Sequence, residues 1–185
     1  VSRLEIDGGA QKVTSAERCA ADNLKLSEGA LSFDRLDEAL PMPIDPRAKA
    51  ALQLAPILDE LSRYELRVTG LAAEAYEVRI DGEVVGTVSR DALAKGWNLA
   101  GDAGPVTRQS QSVLDLVFKK NDVFFRRWRE VQLMSLPNWA RNPVSEAGRR
   151  AEIAGLDRQI AELEQQIAMA RQPQRRHFVL TPAGR

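Results

Sequence analysis

Apolar and polar residues alternate most regularly in the middle of the chain, within residues 64–104. The run 76–80 places an apolar side chain at every second position, which is the period of a strand with one buried face. Asp81-Gly82 follows directly, and this pair suits a two-residue hairpin turn because both residues tolerate positive φ. We therefore predict that 76–80 and 83–88 form paired antiparallel strands in a central β-hairpin region.

Shorter alternations in residues 1–40 predict two N-terminal β-hairpins. Leu4 and Ile6 alternate before a Gly-Gly pair, and a second alternation turns at Glu28-Gly29. Residues 41–63 differ, because four prolines fix their own φ and disfavour helix in the residues before them. This segment is predicted to be a stiff connector with short helices.

The helical period replaces alternation after Pro105, and residues 105–171 are predicted to form a helical hairpin. In the first helix, apolar residues from Val106 onward, with Ser110 and Asn121 in register, recur in steps of three and four. In the second, six apolar residues at steps of 3, 4, 3, 4 and 3 form a heptad seam over 153–170. Two to three heptads fall short of the usual three to four for a free coil, which favours the preceding helix as partner. A homo-oligomeric seam between two chains is the alternative.

Residues 172–185 form a tail with one short apolar run, Phe178–Leu180, which either returns to a sheet edge or stays loose. Strands thus precede helices along the chain. This order predicts an α+β fold, in which a small antiparallel β-sheet or sandwich is followed by a long two-helix antiparallel hairpin.

Composition narrows the function classes. The chain has 26 basic and 26 acidic residues, so no net charge draws it to nucleic acid or to an anionic membrane. No apolar run approaches the roughly 20 residues of a membrane-spanning helix. One cysteine, Cys19, and one histidine, His177, cannot make a structural zinc site without several carboxylates. We expect no metal and no cofactor. No signal peptide is apparent in the sequence, which leaves the compartment open, with export of a parent protein as one option.

Catalytic chemistry has no visible constellation. Nucleophilic catalysis needs a nucleophile, a base and an orienting group, and His177 stands alone in a basic tail that suits an exposed position. We predict no catalytic residue in this chain.

Four residues are candidates for ligand or partner contact. Trp97 and Trp139 lie near loops and could stack on sugar rings, while Arg126 and Arg127 precede Trp128 in a pattern that could hold phosphate and base. Trp128, however, falls on the apolar stripe of the long helix and is predicted to be core. Together with the balanced charge, this argues against nucleic-acid binding.

A series of residues carries a family resemblance: Val68, Thr69, Gly70, Leu71, Tyr76, Ile80, Asp81, Gly82, Gly96, Asn98, Leu99, Ala100 and Arg126–Arg129. This series resembles the C-terminal region that follows the catalytic domain in bacterial SGNH/GDSL-type hydrolases. The resemblance implies a parent carboxylic-ester hydrolase whose Ser-His-Asp site lies outside this chain, upstream or in another chain. The chain would then brace the catalytic domain, border its cleft or mediate oligomerisation.

The catalytic motifs of that family are missing from this sequence. There is no GDS-like block, and Gln174 rather than Asp stands three residues before His177. The alternative is a carbohydrate- or partner-binding β-module with a helical hairpin and no enzymatic activity. An independent enzyme is the reading that the residues favour least.

Overall fold

The computed structural model describes residues 2–101 and 104–184, and it divides the chain into two compact units. The first contains Val1–Gln111 and Arg171–Arg185 and is here the sandwich unit. The second, Ser112–Ala170, is here the hairpin unit. The α+β class is confirmed, because strands fill the first unit and helices the second.

The described residues form nine strands in two sheets. They are β1 (Ser2–Asp7), β2 (Lys12–Glu17), β3 (Cys19–Ser27), β4 (Ala30–Asp37), β5 (Tyr64–Thr69), β6 (Ala75–Ile80), β7 (Glu83–Ser89), β8 (Trp97–Asn98) and β9 (Arg176–Pro182). The sheet orders are β2-β1-β5-β8 and β3-β4-β9-β6-β7. Neighbouring strands run antiparallel, except that β1 and β5 are parallel. The predicted antiparallel sandwich is therefore confirmed.

Helical segments connect and follow these strands. The sandwich unit has a 3₁₀ helix (Pro46–Gln53), α1 (Ile57–Leu61), α2 (Arg90–Lys95) and a 3₁₀ turn (Leu99–Gly101). The long helix α3 (Pro105–Phe125) continues into a π-helical segment (Arg126–Gln132), which is followed by a 3₁₀ turn (Asn138–Ala140) and α4 (Pro143–Ala170).

The predicted hairpin turns form where Gly follows a residue that tolerates positive φ. Asp81 and Gly82 join β6 to β7 with φ of 52° and 82°, and Glu28 and Gly29 join β3 to β4 with 53° and 82°. Both central residues therefore take the left-handed conformation, which matches the twist of the flanking strands. Gly96 ends α2 with φ of 109°.

The inward side chains of both sheets form one apolar core. Leu4 and Leu66 come from one sheet, and Phe33, Val78 and Phe178 from the other; all five are completely buried. Phe33 and Phe178 are stacked, with ring centroids 5.0 Å apart and planes 10° apart. Close packing of this kind is the main stabilising contribution to a small sandwich.

The tail supplies the central strand of the larger sheet. β9 pairs with β4 on one side and with β6 on the other. It is thus neither loose nor at an open edge. The side chain of Gln109 donates from Nε2 to the carbonyl of Gln172 at 2.6 Å, so the chain leaves the sandwich unit and re-enters it at neighbouring points.

The hairpin unit consists of two antiparallel helical segments, as predicted. Lys120 pairs with Glu164 at 3.6 Å, whereas Arg126 pairs with Glu152 at 2.9 Å and Arg127 pairs with Asp157. The later positions of the first segment thus pair with earlier positions of α4. The heptad positions of α4 are buried or half-buried, with Leu156 the most enclosed. Among the described residues, no helix has both the length and the apolar character to cross a membrane.

Candidate functional site

The single histidine pairs with acids on the outer face of the larger sheet. The Nδ1 atom of His177 lies 2.6 Å from Oδ1 of Asp34, directly across from it on the neighbouring strand. Asn23 donates to the other oxygen of Asp34 at 2.7 Å. These two hydrogen bonds, that of Asn23 first, hold the pKa of Asp34 below its usual range. The side chain of His177 is about half exposed.

His177 has no nucleophile beside it in the described residues. Its backbone N–H donates to Oδ1 of Asp81 at 2.9 Å, and its ring contacts Asp34. No Ser, Thr or Cys side chain within 2–101 and 104–184 hydrogen-bonds to the ring. A His–Asp pair without a hydroxyl or thiol in contact provides a base and an orienting group but no attacking atom.

A buried polar cluster, which the sequence analysis missed, joins the two sheets. Ser2 and Tyr64 belong to one sheet, and Arg35 and Asp37 belong to the other. Nη2 of Arg35 donates to Oδ1 of Asp37 at 2.9 Å and to Oγ of Ser2 at 2.8 Å. The hydroxyls of Ser2 and Tyr64 each donate to the Asp37 carboxylate. The guanidinium also lies 4.2 Å from the centroid of the Tyr64 ring.

This polar cluster, here the polar lock, links the two sheets through hydrogen bonds. Arg35 is completely buried, and its charge is compensated by a bidentate carboxylate, as burial of a charge requires. Burial raises the pKa of the Tyr64 hydroxyl, which remains a donor. Burial also raises the pKa of Cys19, whose thiol donates to the Arg3 carbonyl at 3.3 Å. Both groups are therefore held in their unreactive, protonated forms.

An open cleft of about 520 Å³ lies on the sandwich unit, a size common among ligand sites. Its walls come from the proline-rich connector, α1 and the first turns of α3, including Met42, Ile44, Leu52, Leu58, Thr107, Arg108 and Ser110. The hydroxyl of Thr107 donates to Gly104 at 3.1 Å, and that of Ser110 donates to Val106 at 3.2 Å. Arg108 is paired with Glu83. Since these three polar groups already have partners, the cleft suits an apolar occupant.

The two loop tryptophans differ sharply in environment. Trp97 lies in β8, pairs with Leu66 and packs against the core, and ligand or partner contact by Trp97 stays a prediction. Trp139 lies in the 3₁₀ turn between the helices of the hairpin and is 87% exposed. Ligand or partner contact by Trp139 stays a prediction.

The side chains of Arg126 and Arg127 form ion pairs with acidic residues of α4. Arg126 pairs with Glu152, and Arg127 pairs with Asp157 and also donates to Oε1 of Gln132 at 2.7 Å. The prediction that Trp128 is core is wrong, because its side chain is 43% exposed. The apolar period predicts a broad apolar face on this helix. In the structure, α4 covers only the part of the helix surface that contains Arg127 and Val131.

No group of three or more metal-ligating side chains comes together in the part of the chain that the structure describes. The described residues offer two candidate surfaces for ligand or partner contact: the exposed apolar side chains of the hairpin unit and the apolar cleft of the sandwich unit.

Comparison with protein-family models and with curated proteins finds no match. Among solved structures, the chain is similar to BT4096, a gut microbial diltiazem-metabolizing enzyme, with a TM-score of 0.81 and 24% sequence identity. The match covers 99% of this chain and 50% of that chain, so this chain spans about half the length of the enzyme. At this identity, the likeness shows a shared fold and no more.

Proposed function

We propose that this chain is a non-catalytic C-terminal accessory region of an SGNH/GDSL-type ester hydrolase. One observation carries the proposal: nearly all of this chain corresponds in fold to only half of an enzyme chain. The other half of such an enzyme has room for a separate catalytic domain. The ester-hydrolase class rests on the residue series that starts at Val68 and ends at Arg129.

The geometry of the sandwich unit supports a bracing role. The buried side chains of Ser2, Arg35 and Asp37 are hydrogen-bonded to one another. The ring of His177 contacts Asp34, and its backbone N–H donates to Asp81. A rigid unit of this kind can position a catalytic domain or border its cleft without taking part in bond cleavage. In this proposal, the nucleophile, base and orienting acid are all supplied by the catalytic domain.

The test compares ester hydrolysis by the 185-residue chain with that by the complete polypeptide that its gene encodes. With p-nitrophenyl acetate as probe, we expect the chain alone to give the buffer rate and the complete polypeptide to turn over. A His177→Gln variant of the complete polypeptide should retain full activity. Hydrolysis by the chain alone that His177→Gln abolishes would overturn the proposal.

A second candidate function is a carbohydrate- or partner-binding module, favoured by the 87% exposure of Trp139. Exposed tryptophans supply large flat contact areas for ligands. In affinity electrophoresis through gels containing soluble polysaccharides, binding should retard the chain. Trp139→Ala should abolish the retardation, while Trp97→Phe serves as the packed control. Equal mobility with and without polysaccharide would remove this candidate.

A further inference from the structure

The part of α3 that belongs to the hairpin unit has an apolar face that is only partly covered. Phe124 follows Val117 by 124 − 117 = 7 positions. At about 3.6 residues per turn, this is close to two complete turns, so the two side chains share one face. Val117 is half-buried, whereas Phe124 is 52% exposed. The apolar face thus continues beyond the part that the hairpin unit itself covers.

Three neighbouring aromatic side chains make up this exposed part. Phe124, Phe125 and Trp128, here the aromatic stripe, are 52%, 53% and 43% exposed. Leu133 and Met134, which follow the π-helical segment, are about half exposed as well. Large exposed apolar side chains that lie close together along the chain favour an interaction site.

The backbone under Trp128 is unusual. The N–H of Leu133 donates to the carbonyl of Trp128 at 3.0 Å, which closes a five-residue π turn. Such turns are rare and occur frequently at functional sites. Tryptophan is also the residue type most enriched among interface positions that contribute most to affinity.

We propose that the aromatic stripe is the docking surface for the catalytic domain of the hydrolase, an inference that rests on the proposed function. We choose a catalytic domain as the occupant because the match covers only 50% of the similar enzyme chain, which leaves the other half outside the match. Of the three arginines beside the stripe, Arg126 and Arg127 are already paired with acids, which favours an apolar protein surface over phosphates or lipid headgroups.

A second copy of the chain is the other candidate occupant, and the structure gives it less support. Self-association through the heptad seam would use Ile153, Leu156, Ile160, Leu163 and Ile167. These side chains are already buried or half-buried in the antiparallel hairpin. The seam is therefore occupied within one chain.

The experiment measures the accessibility of Trp128 to acrylamide. Trp97→Phe combined with Trp139→Phe leaves Trp128 as the only tryptophan of this chain, and fluorescence quenching is compared in the 185-residue chain and in the complete polypeptide. Native tryptophans outside this chain are replaced by Phe. We expect the quenching constant of Trp128 to fall roughly threefold or more in the complete polypeptide, because a docked interface excludes solvent.

Matched variants locate the effect. In the complete polypeptide, Phe125→Lys should restore the quenching of Trp128, whereas Met169→Lys, on the 69%-exposed Met169 of α4, should leave it protected. The reciprocal variant that keeps only Trp139 should be quenched equally in both proteins. Equal protection of Trp139 and Trp128, or no response to Phe125→Lys, would overturn the assignment to the stripe.

Other occupants would be recognised by their own dependence. Protection of Trp128 in the 185-residue chain that rises with its concentration would assign the stripe to a second copy. Protection on adding phosphatidylglycerol vesicles would assign it to a lipid surface. Either result overturns the proposal. Equal quenching in an ester-hydrolysing complete polypeptide sinks the docking inference alone, whereas a polypeptide without ester hydrolysis sinks the proposed function.

Discussion

The sandwich unit and the hairpin unit treat their aromatic side chains in opposite ways. Phe33 and Phe178 are completely buried and stacked on each other, whereas Phe124 and Phe125 are more than half exposed. Two sheets enclose a volume, but two helices share only one contact face and leave the rest of each surface outside. The sandwich unit thus buries Phe33 and Phe178 within itself, whereas the hairpin unit leaves Phe124 and Phe125 exposed and available to a partner.

The largest effect expected from this comparison is a pair of phenylalanine truncations. Phe178→Ala should lower the free energy of unfolding by about 3–5 kcal/mol, because it leaves a cavity between the sheets. Phe125→Ala should change it by less than about 0.5 kcal/mol, as surface substitutions usually do. Urea unfolding followed by circular dichroism measures both. Similar losses for the two variants would show that Phe125 is packed in solution.

A smaller effect is expected in the polar lock between the sheets. Tyr64→Phe removes a donor to the buried Asp37 carboxylate and should cost about 1.5–3 kcal/mol of unfolding free energy. The control is Tyr76→Phe, since the Tyr76 hydroxyl accepts from the Ala73 N–H at 3.0 Å and its loss should cost about 0.5–1.5 kcal/mol. A loss at Tyr64 no greater than at Tyr76 would contradict the lock.

The same residue should make stability fall in alkali. Burial raises the pKa of Tyr64 above its unfolded value of about 10. Its contribution is therefore fully present below pH 10 and is lost as pH rises further, because the unfolded chain releases the proton first. In unfolding experiments between pH 9 and 11, as approximate limits around that unfolded pKa, Tyr64→Phe should lose less stability than the native chain. Parallel pH profiles of stability for Tyr64→Phe and the native chain would contradict this prediction.

The smallest effect is expected at the exposed His177–Asp34 pair. The pKa of Asp34 is lowered by the hydrogen bonds from Asn23 and His177, so its contribution is present above the unfolded value of about 4 and fades as pH falls. Asp34→Asn should therefore narrow the difference in urea midpoint between neutral and acidic solution. An unchanged difference would mean that water screens the pair completely.

Local features were predictable from the sequence, and long-range ones were not. The hairpins at Asp81-Gly82 and Glu28-Gly29 follow from alternation and turn chemistry, which act between adjacent residues. The pairing of β9 with β4 joins positions such as Phe33 and Phe178, and nothing in either local pattern specifies it. Arg35 stands in the inward phase of β4 with Leu31 and Phe33, which is the one available sign of a buried charge.

The candidate surface shows the same division. The apolar period of α3 predicts the helix correctly, but it does not tell which part of that face is covered by the chain itself. The period therefore predicts that Trp128 is core, whereas in the structure its side chain is 43% exposed. Its exposure becomes visible only when the position of α4, set by residues about 25–30 positions away, is known.

The central position of β9 also determines when the larger sheet can form during synthesis on the ribosome. When residue 170 has been synthesised, the nascent chain already holds β3-β4 and β6-β7, but the strand that unites them is missing. Until then, β4 and β6 present unpaired backbone edges to other chains, which is a hazard for aggregation. The larger sheet can close only after the whole hairpin has been made, so synthesis of β9 is the step that completes this sheet.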